Sequence, residues 1–115
     1  MAAPIDDPFD NWTVQVRKGI LELCILNALE GRERYGYELV KNLAALPGFG
    51  VTEGTLYPLL SRLRAQGLVT TRMEESAEGP SRKYYALTPS GRAGVAPMND
   101  YLADLLSACR EIRRK

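Results

Sequence analysis

Residues 51–67 read V-T-E-G-T-L-Y-P-L-L-S-R-L-R-A-Q-G. This stretch has the marks of one amphipathic helix with a start, a stop and two unlike faces. Thr52 is a candidate N-cap, because its hydroxyl can accept a bond from an otherwise unpaired N–H of the first turn. Glu53 follows at the positive end of the helix dipole, and Gly67 stands where a left-handed residue ends a helix. At 100° per residue Leu56, Leu59, Leu60 and Leu63 share a side, which is the expected core face. Gly54, Pro58, Ser61, Arg62 and Ala65 lie opposite, flanked by Thr55 and Tyr57. That outer face is small, hydroxylated and cationic, as suits a helix entering a major groove. An ordinary surface helix fits the segment equally well when it is taken alone.

The neighbouring segments decide between these readings. Just upstream, G-Y-E-L-V-K-N-L-A-A-L (36–46) carries Leu39, Val40, Leu43 and Leu46 at helical spacing. Pro47-Gly48-Phe49-Gly50 ends that helix and turns the chain into the next. Two amphipathic helices joined by a short Gly-containing turn make a helix-turn-helix. Downstream, 68–75 (L-V-T-T-R-M-E-E) and 82–88 (R-K-Y-Y-A-L-T) are rich in Val, Thr and Tyr with partial alternation, and S-A-E-G-P-S separates them. A hairpin is expected there, with Arg82 and Lys83 at its base in reach of phosphates. Glu74, Glu75 and Glu78 would be repelled by phosphate, which argues against deep insertion of the hairpin tip. A helix-turn-helix followed by a hairpin is a winged helix.

The outer segments frame this unit. Residues 1–12 read as a loose arm with Pro4, Pro8 and three aspartates, ending in Phe9 and Trp12. That aromatic pair either packs on its own domain, docks on a partner subunit or edges a ligand pocket. From Thr13 to Glu30, Ile20, Leu21, Leu23, Cys24, Ile25, Leu26 and Leu29 leave few polar directions, so this helix is the expected centre of the domain, with Gly31 as its stop. Thr88-Pro89 is a helix start, and Val95, Met98, Leu102, Leu105, Cys109 and Ile112 follow at spacings of 3, 4, 3, 4 and 3. That seam predicts a C-terminal helix pairing with another chain. Pro97 predicts a kink or a new helix start within it. The organisation expected is an arm at 1–12, a winged helix-turn-helix at 13–88 and a dimerisation helix at 89–115, mainly α with a small β-hairpin.

Bulk composition narrows the function classes. The chain has 115 residues, 45% hydrophobic and 25% charged, with a net charge of +1. So small a charge means that any DNA contact must come from local placement of Arg and Lys. With no histidine, a histidine-based triad or zinc site is excluded. Paired carboxylates in a cleft context and a glycine-rich phosphate loop are also absent, so neither an enzyme nor a metal or other cofactor is expected. Cys24 and Cys109 sit in apolar-patterned segments and are expected to be buried thiols. No apolar run is long enough to span a bilayer and the first residues lack a signal pattern, so the expectation is a cytoplasmic protein without membrane contact.

The blocks G-I-L-E-L-C-I-L-N-A-L, Y-G-Y-E-L, E-G-T-L-Y-P-L-L-S-R-L-R-A-Q-G-L-V and S-R-K-Y-Y-A-L-T-P-S-G-R, in this order, resemble the PadR family of bacterial transcriptional regulators. The likeness covers about residues 17–92, and the short C-terminal region is similar to the small PadR-like subgroup. It implies a homodimeric winged-helix repressor that binds double-stranded DNA at an inverted-repeat operator and responds to small planar or hydrophobic compounds. Thr52, Gly54, Thr55, Tyr57 and Arg62 then match recognition-helix positions, with Ser61 beside them, and Arg82, Lys83 and Tyr84 match the wing. Arg64 stands where many members carry an acid. An effector would enter the apolar space near Trp12, Ile20, Met98, Tyr101, Leu102 and Leu105, while Val95, Met98, Leu102, Leu105, Cys109 and Ile112 form the dimer seam. The alternative from a different class is a winged-helix protein-interaction module without DNA binding.

Overall fold

Leu21, Ile25, Leu26 and Leu29 put the first helix at the centre of the molecule, all at most 3% exposed. The computed structural model describes residues 8–115. Its elements are α1 (Pro8–Leu29), β1 (Arg34–Tyr35), α2 (Gly36–Ala44), α3 (Glu53–Ala65), β2 (Val69–Ser76), β3 (Gly79–Leu87) and α4 (Pro89–Glu111), closed by a 3-10 turn at Ile112–Arg114. Around α1 gather Leu39, Val40 and Leu43 of α2, Leu56, Leu60 and Leu63 of α3, Val69, Tyr85 and Leu87 of the sheet, and Val95 of α4. This is a winged helix-turn-helix with a long C-terminal helix, as the residue patterns predict.

Phe9 and Trp12 were expected on a loose arm, yet α1 begins at Pro8 and takes both into its first turns, where proline's fixed φ suits a helix start. The rest of that arm, residues 1–7, lies outside the described residues. In the connection before α2, Arg34 and Tyr35 form a third strand against Tyr85 and Tyr84, giving the sheet order β1-β3-β2. The hairpin loop is also tighter than its composition suggests. Gly79 and Pro80 belong to β3, leaving Ala77 and Glu78 to turn the chain. A central-strand proline is tolerated here because β1 reaches only Tyr84 and Tyr85, so β3 is an open edge at Pro80.

α4 runs unbroken through Pro97. The proline removes a bond to the carbonyl of Ala93, and both residues lie on the exposed side of the helix, where water can serve that carbonyl. Its start is tightly fixed. The Thr88 hydroxyl accepts from the Gly91 N–H at 3.0 Å and donates to the Gly67 carbonyl at 2.6 Å. Gly91 presses on the preceding connection so closely that an added Cβ would stand 2.1 Å from the Leu68 carbonyl oxygen. Further along, Asn99 and Asn27 exchange amide hydrogen bonds at 2.8 and 3.1 Å, joining α4 to α1.

Beyond this point α4 leaves the body of the protein. Val95 is 1% exposed and Met98 packs on the core, whereas Leu105 is 44% and Ile112 69% exposed. The seam is therefore divided along its length. Val95 is already spent inside its own chain and has no surface left for another, which corrects its assignment to the seam. Cys109 is exposed for the same reason that Leu105 is, contrary to the buried thiol expected. The radius of gyration, 16.9 Å, exceeds the ~13 Å of a compact domain of this length.

Candidate nucleic-acid interface

The position of α3 is set by its buried stripe. Leu56, Leu60 and Leu63 are fully buried, each worth roughly 1.5–3 kcal/mol of transfer free energy. That outweighs the ~1 kcal/mol of an N-cap, and the cap is indeed imperfect. Thr52 occupies the N-cap position by backbone, but its hydroxyl makes no capping bond and instead meets the Thr55 hydroxyl at 3.3 Å. Two hydroxyls thus stand together at the helix start, on the exposed side.

Around the outer face, Gly54, Thr55, Pro58, Ser61 and Arg62 are all exposed. Nothing among the described residues demands a glycine at 54, since an added Cβ would meet only the Thr52 hydroxyl at 3.7 Å. Gly36 differs, because a Cβ there would lie 2.7 Å from the Tyr85 ring. The bareness of α3 at Gly54 is thus free for close approach from outside.

Tyr57 is exposed beside these residues, and burial, followed by the neighbouring Glu53, Tyr35 and Tyr37, pushes its hydroxyl pKa up. Arg62 pairs with Glu22 of α1. It is a neutralised cation, which its position in sequence could not reveal.

The wing residues divide between the two faces of the sheet. Arg82 and Tyr84 lie on the outer face with Glu74 and Arg72, their cross-strand partners. Lys83, opposite Met73, lies on the inner face, beyond the buried Tyr85. Arg82 and Lys83 were expected at the wing's base; they stand in its distal half, because the base is the Val69–Leu87 pair and the strand starts at Gly79.

A ladder of rings and cations that the sequence reading passed over covers the outer face. Arg72 lies over Tyr84 at 4.6 Å and Arg82 over Tyr35 at 5.1 Å. The Tyr35 and Tyr84 rings are 5.7 Å apart, and Lys41 sits 5.2 Å over Tyr37. The alternation of Arg and Tyr in R-Y-G-Y and R-K-Y-Y was the available signal. Arg72 also donates two hydrogen bonds to Glu33, one of 2.9 Å, and holds that carboxyl below its ordinary range.

Of the residues expected around an effector, Ile20, Met98, Tyr101, Leu102 and Leu105 line one apolar groove of about 350 Å³ between α1 and α4, with Gly19, Leu23 and Pro97. Trp12 is not in that groove, and of these residues it shares only a shallower depression with Ile20, beside Val16 and Phe49. It faces Leu106, Cys109 and Arg110 near the far end of α4, ~12 Å along α1 from Ile20 at 1.5 Å per residue. Among the described residues no His, Cys, Asp or Glu cluster could hold a metal ion, and no helix is long and apolar enough to cross a membrane.

A helix-turn-helix with a bare, hydroxylated outer face and a cation-bearing wing defines the winged-helix class. Within it, the transcriptional regulator PadR-like family matches residues 25–96, and the chain belongs to that family. A transcriptional regulator of Mycobacterium tuberculosis is 33% identical over 91 residues, spanning 79% of this chain and 83% of that protein. A PadR family transcriptional regulator from Eggerthella lenta superposes with a TM-score of 0.80 at 31% identity, over 93% of each chain. For a PadR-like transcriptional regulator from Bacillus cereus the TM-score is 0.74 at 33% identity, over 88% of this chain and 98% of the other. The chain is a transcriptional regulator of this family, and the family is one of regulators and not of enzymes.

Proposed function

We propose that the chain is a sequence-specific repressor that binds double-stranded DNA as a symmetric homodimer and is released by a small hydrophobic or planar ligand. The observation that carries the DNA reading is the outer face of α3, where Gly54, Thr55 and Ser61 are exposed and Gly54 answers no packing demand of its own chain. In this reading each α3 enters a major groove, with the two grooves about one helical turn (~34 Å) apart. The near-neutral charge makes the contact one of fit and hydroxyl bonding more than of broad basic attraction.

Association is supported by the outer half of α4. Tyr101, Leu105, Leu106 and Ile112 are exposed there, with Phe9 and Trp12 of α1, on a helix that extends beyond the core. Leu102, Leu105, Cys109 and Ile112 are the seam residues left for a second copy. The α1–α4 groove is of ligand size and mostly apolar in its lining. A compound binding there acts if its affinity differs between DNA-competent and other dimer arrangements.

Selection of duplexes from a randomised pool tests this directly. Recovery of an inverted repeat with half-sites one turn apart is the expected result. Failure to retain any duplex would favour the protein-interaction module, which the wing-tip acids Glu74, Glu75 and Glu78 recommend. Weakened retention on adding planar hydrophobic compounds, abolished by a bulky substitution at Gly19, tests the groove.

A further inference from the structure

We infer that Glu33, through Arg72, is the positioning residue that holds the wing at a fixed angle to α3. From Arg72 outward every residue of β2 is exposed, and so is every residue of β3 from Gly79 to Lys83. The inner face gives no purchase there, since Met73 is 56% exposed and its partner Lys83 is exposed too. Apart from the Lys83 carbonyl, which lies beside Gly36, the distal wing therefore meets the rest of the chain through side chains of its outer face. Glu33, in the connection between α1 and β1, accepts from both Nε and Nη2 of Arg72. This two-bond fork fixes direction as well as distance. Arg72 is also stacked on Tyr84, which stands against Tyr35 of β1. Glu74, at 3.8 Å, competes for Arg72 from within the wing, so Glu33 is the acid that ties the strand to the body.

Glu33 is a half-exposed acid in a protein read as DNA-binding, and this inference rests on that reading. Simple electrostatics assigns the substitution Glu33→Gln a sign: one negative charge fewer raises affinity for a polyanion. A positioning role assigns the opposite sign, because the wing loses its fixed direction. Arg72→Lys separates the two further. It keeps the charge but cannot make the planar fork.

The test measures affinity for duplexes selected by the unaltered chain, together with amide exchange in 72–76 and 79–83. Glu33→Gln and Arg72→Lys are each expected to weaken binding about threefold to fivefold, the range an exposed bidentate pair supports, and to speed exchange in the distal wing only. Unchanged or tighter binding by Glu33→Gln, or unchanged exchange, would overturn the inference. If the unaltered chain retains no duplex, the DNA reading fails and Glu33's part in it falls too, while the exchange rates still decide whether Glu33 holds the wing.

Discussion

Glu22 on α1 and Arg62 on α3 form an ion pair in which the Arg62 side chain is 56% exposed and that of Glu22 24% exposed. The pair ties the proposed recognition helix to the central helix and spends a cation that a groove-reading helix would otherwise offer to phosphate. Glu22→Gln is therefore expected to tighten DNA binding and to steepen its dependence on salt by up to about one unit, as Arg62 becomes available to a phosphate. Arg62→Ala weakens binding and flattens the same slope. Slopes that coincide for all three proteins would show that Arg62 contacts no phosphate even when it is released from Glu22.

Gly91 and Gly94 offer a paired test of the start of α4. A Cβ at Gly91 meets backbone at 2.1 Å, whereas at Gly94 the nearest atom is the sulfur of Met98 at 4.0 Å. Gly91→Ala should cost about 1–3 kcal/mol or more by overpacking and lower Tm by several degrees. Gly94→Ala should leave Tm unchanged or raise it, given the helix propensity of up to about 1 kcal/mol that alanine adds. Equal melting temperatures would contradict the geometry at Leu68.

The amide pair Asn27–Asn99 couples α1 to α4 at 2.8 and 3.1 Å. A double-mutant cycle on Asn27→Ala and Asn99→Ala is expected to show a coupling of about 1 kcal/mol. Asn99 also donates to the Val95 carbonyl at 2.9 Å, so its single substitution should be the costlier one. Additive losses in urea denaturation would remove the pair from the list of ties.

Thiol labelling reads the divided seam. Cys109 is exposed, while burial pushes the Cys24 thiol above its ordinary pKa of 9.0. The thiolate is the reactive form, so Cys24 should gain reactivity only at higher pH than an ordinary thiol. Cys109 should react fast in dilute samples and more slowly as concentration rises and a second copy covers it. Ile112→Glu should abolish that protection without lowering the stability of the single chain. Labelling independent of concentration would argue against a seam at Cys109.

The parts of this protein written in local spacing were legible from sequence. Leu56, Leu60 and Leu63 place α3 without any knowledge of its neighbours, and Thr88-Pro89 starts α4 at the expected residue. The pairings across long stretches of chain were not. Nothing in the surroundings of Arg62 names Glu22, and a two-residue strand at Arg34–Tyr35 is too short for any periodicity to mark. Heptad spacing gives a stripe on α4 but not which chain it faces, so Val95 and Ile112 looked alike until their burial separated them. At the site, exposure of Gly54 and Ser61 followed from helical phase. The split of Arg82 from Lys83 needed the strand register.

The partition of α4 near Leu102 has a consequence for how the protein melts. Its proximal half completes the core with Val95 and Met98, so the protomer has a finished interior before any partner arrives. Pairing of the kind proposed would add free energy to a body that is already folded, unlike an obligate dimer whose monomer cannot exist. A dilution series should thus show a cooperative transition that survives at the lowest concentrations, with a midpoint that climbs as the chain is concentrated. If the proposed pairing occurs, regulation by protein abundance follows: dissociation would yield an intact protomer ready to pair again, and no chain would need to unfold to let go of its partner.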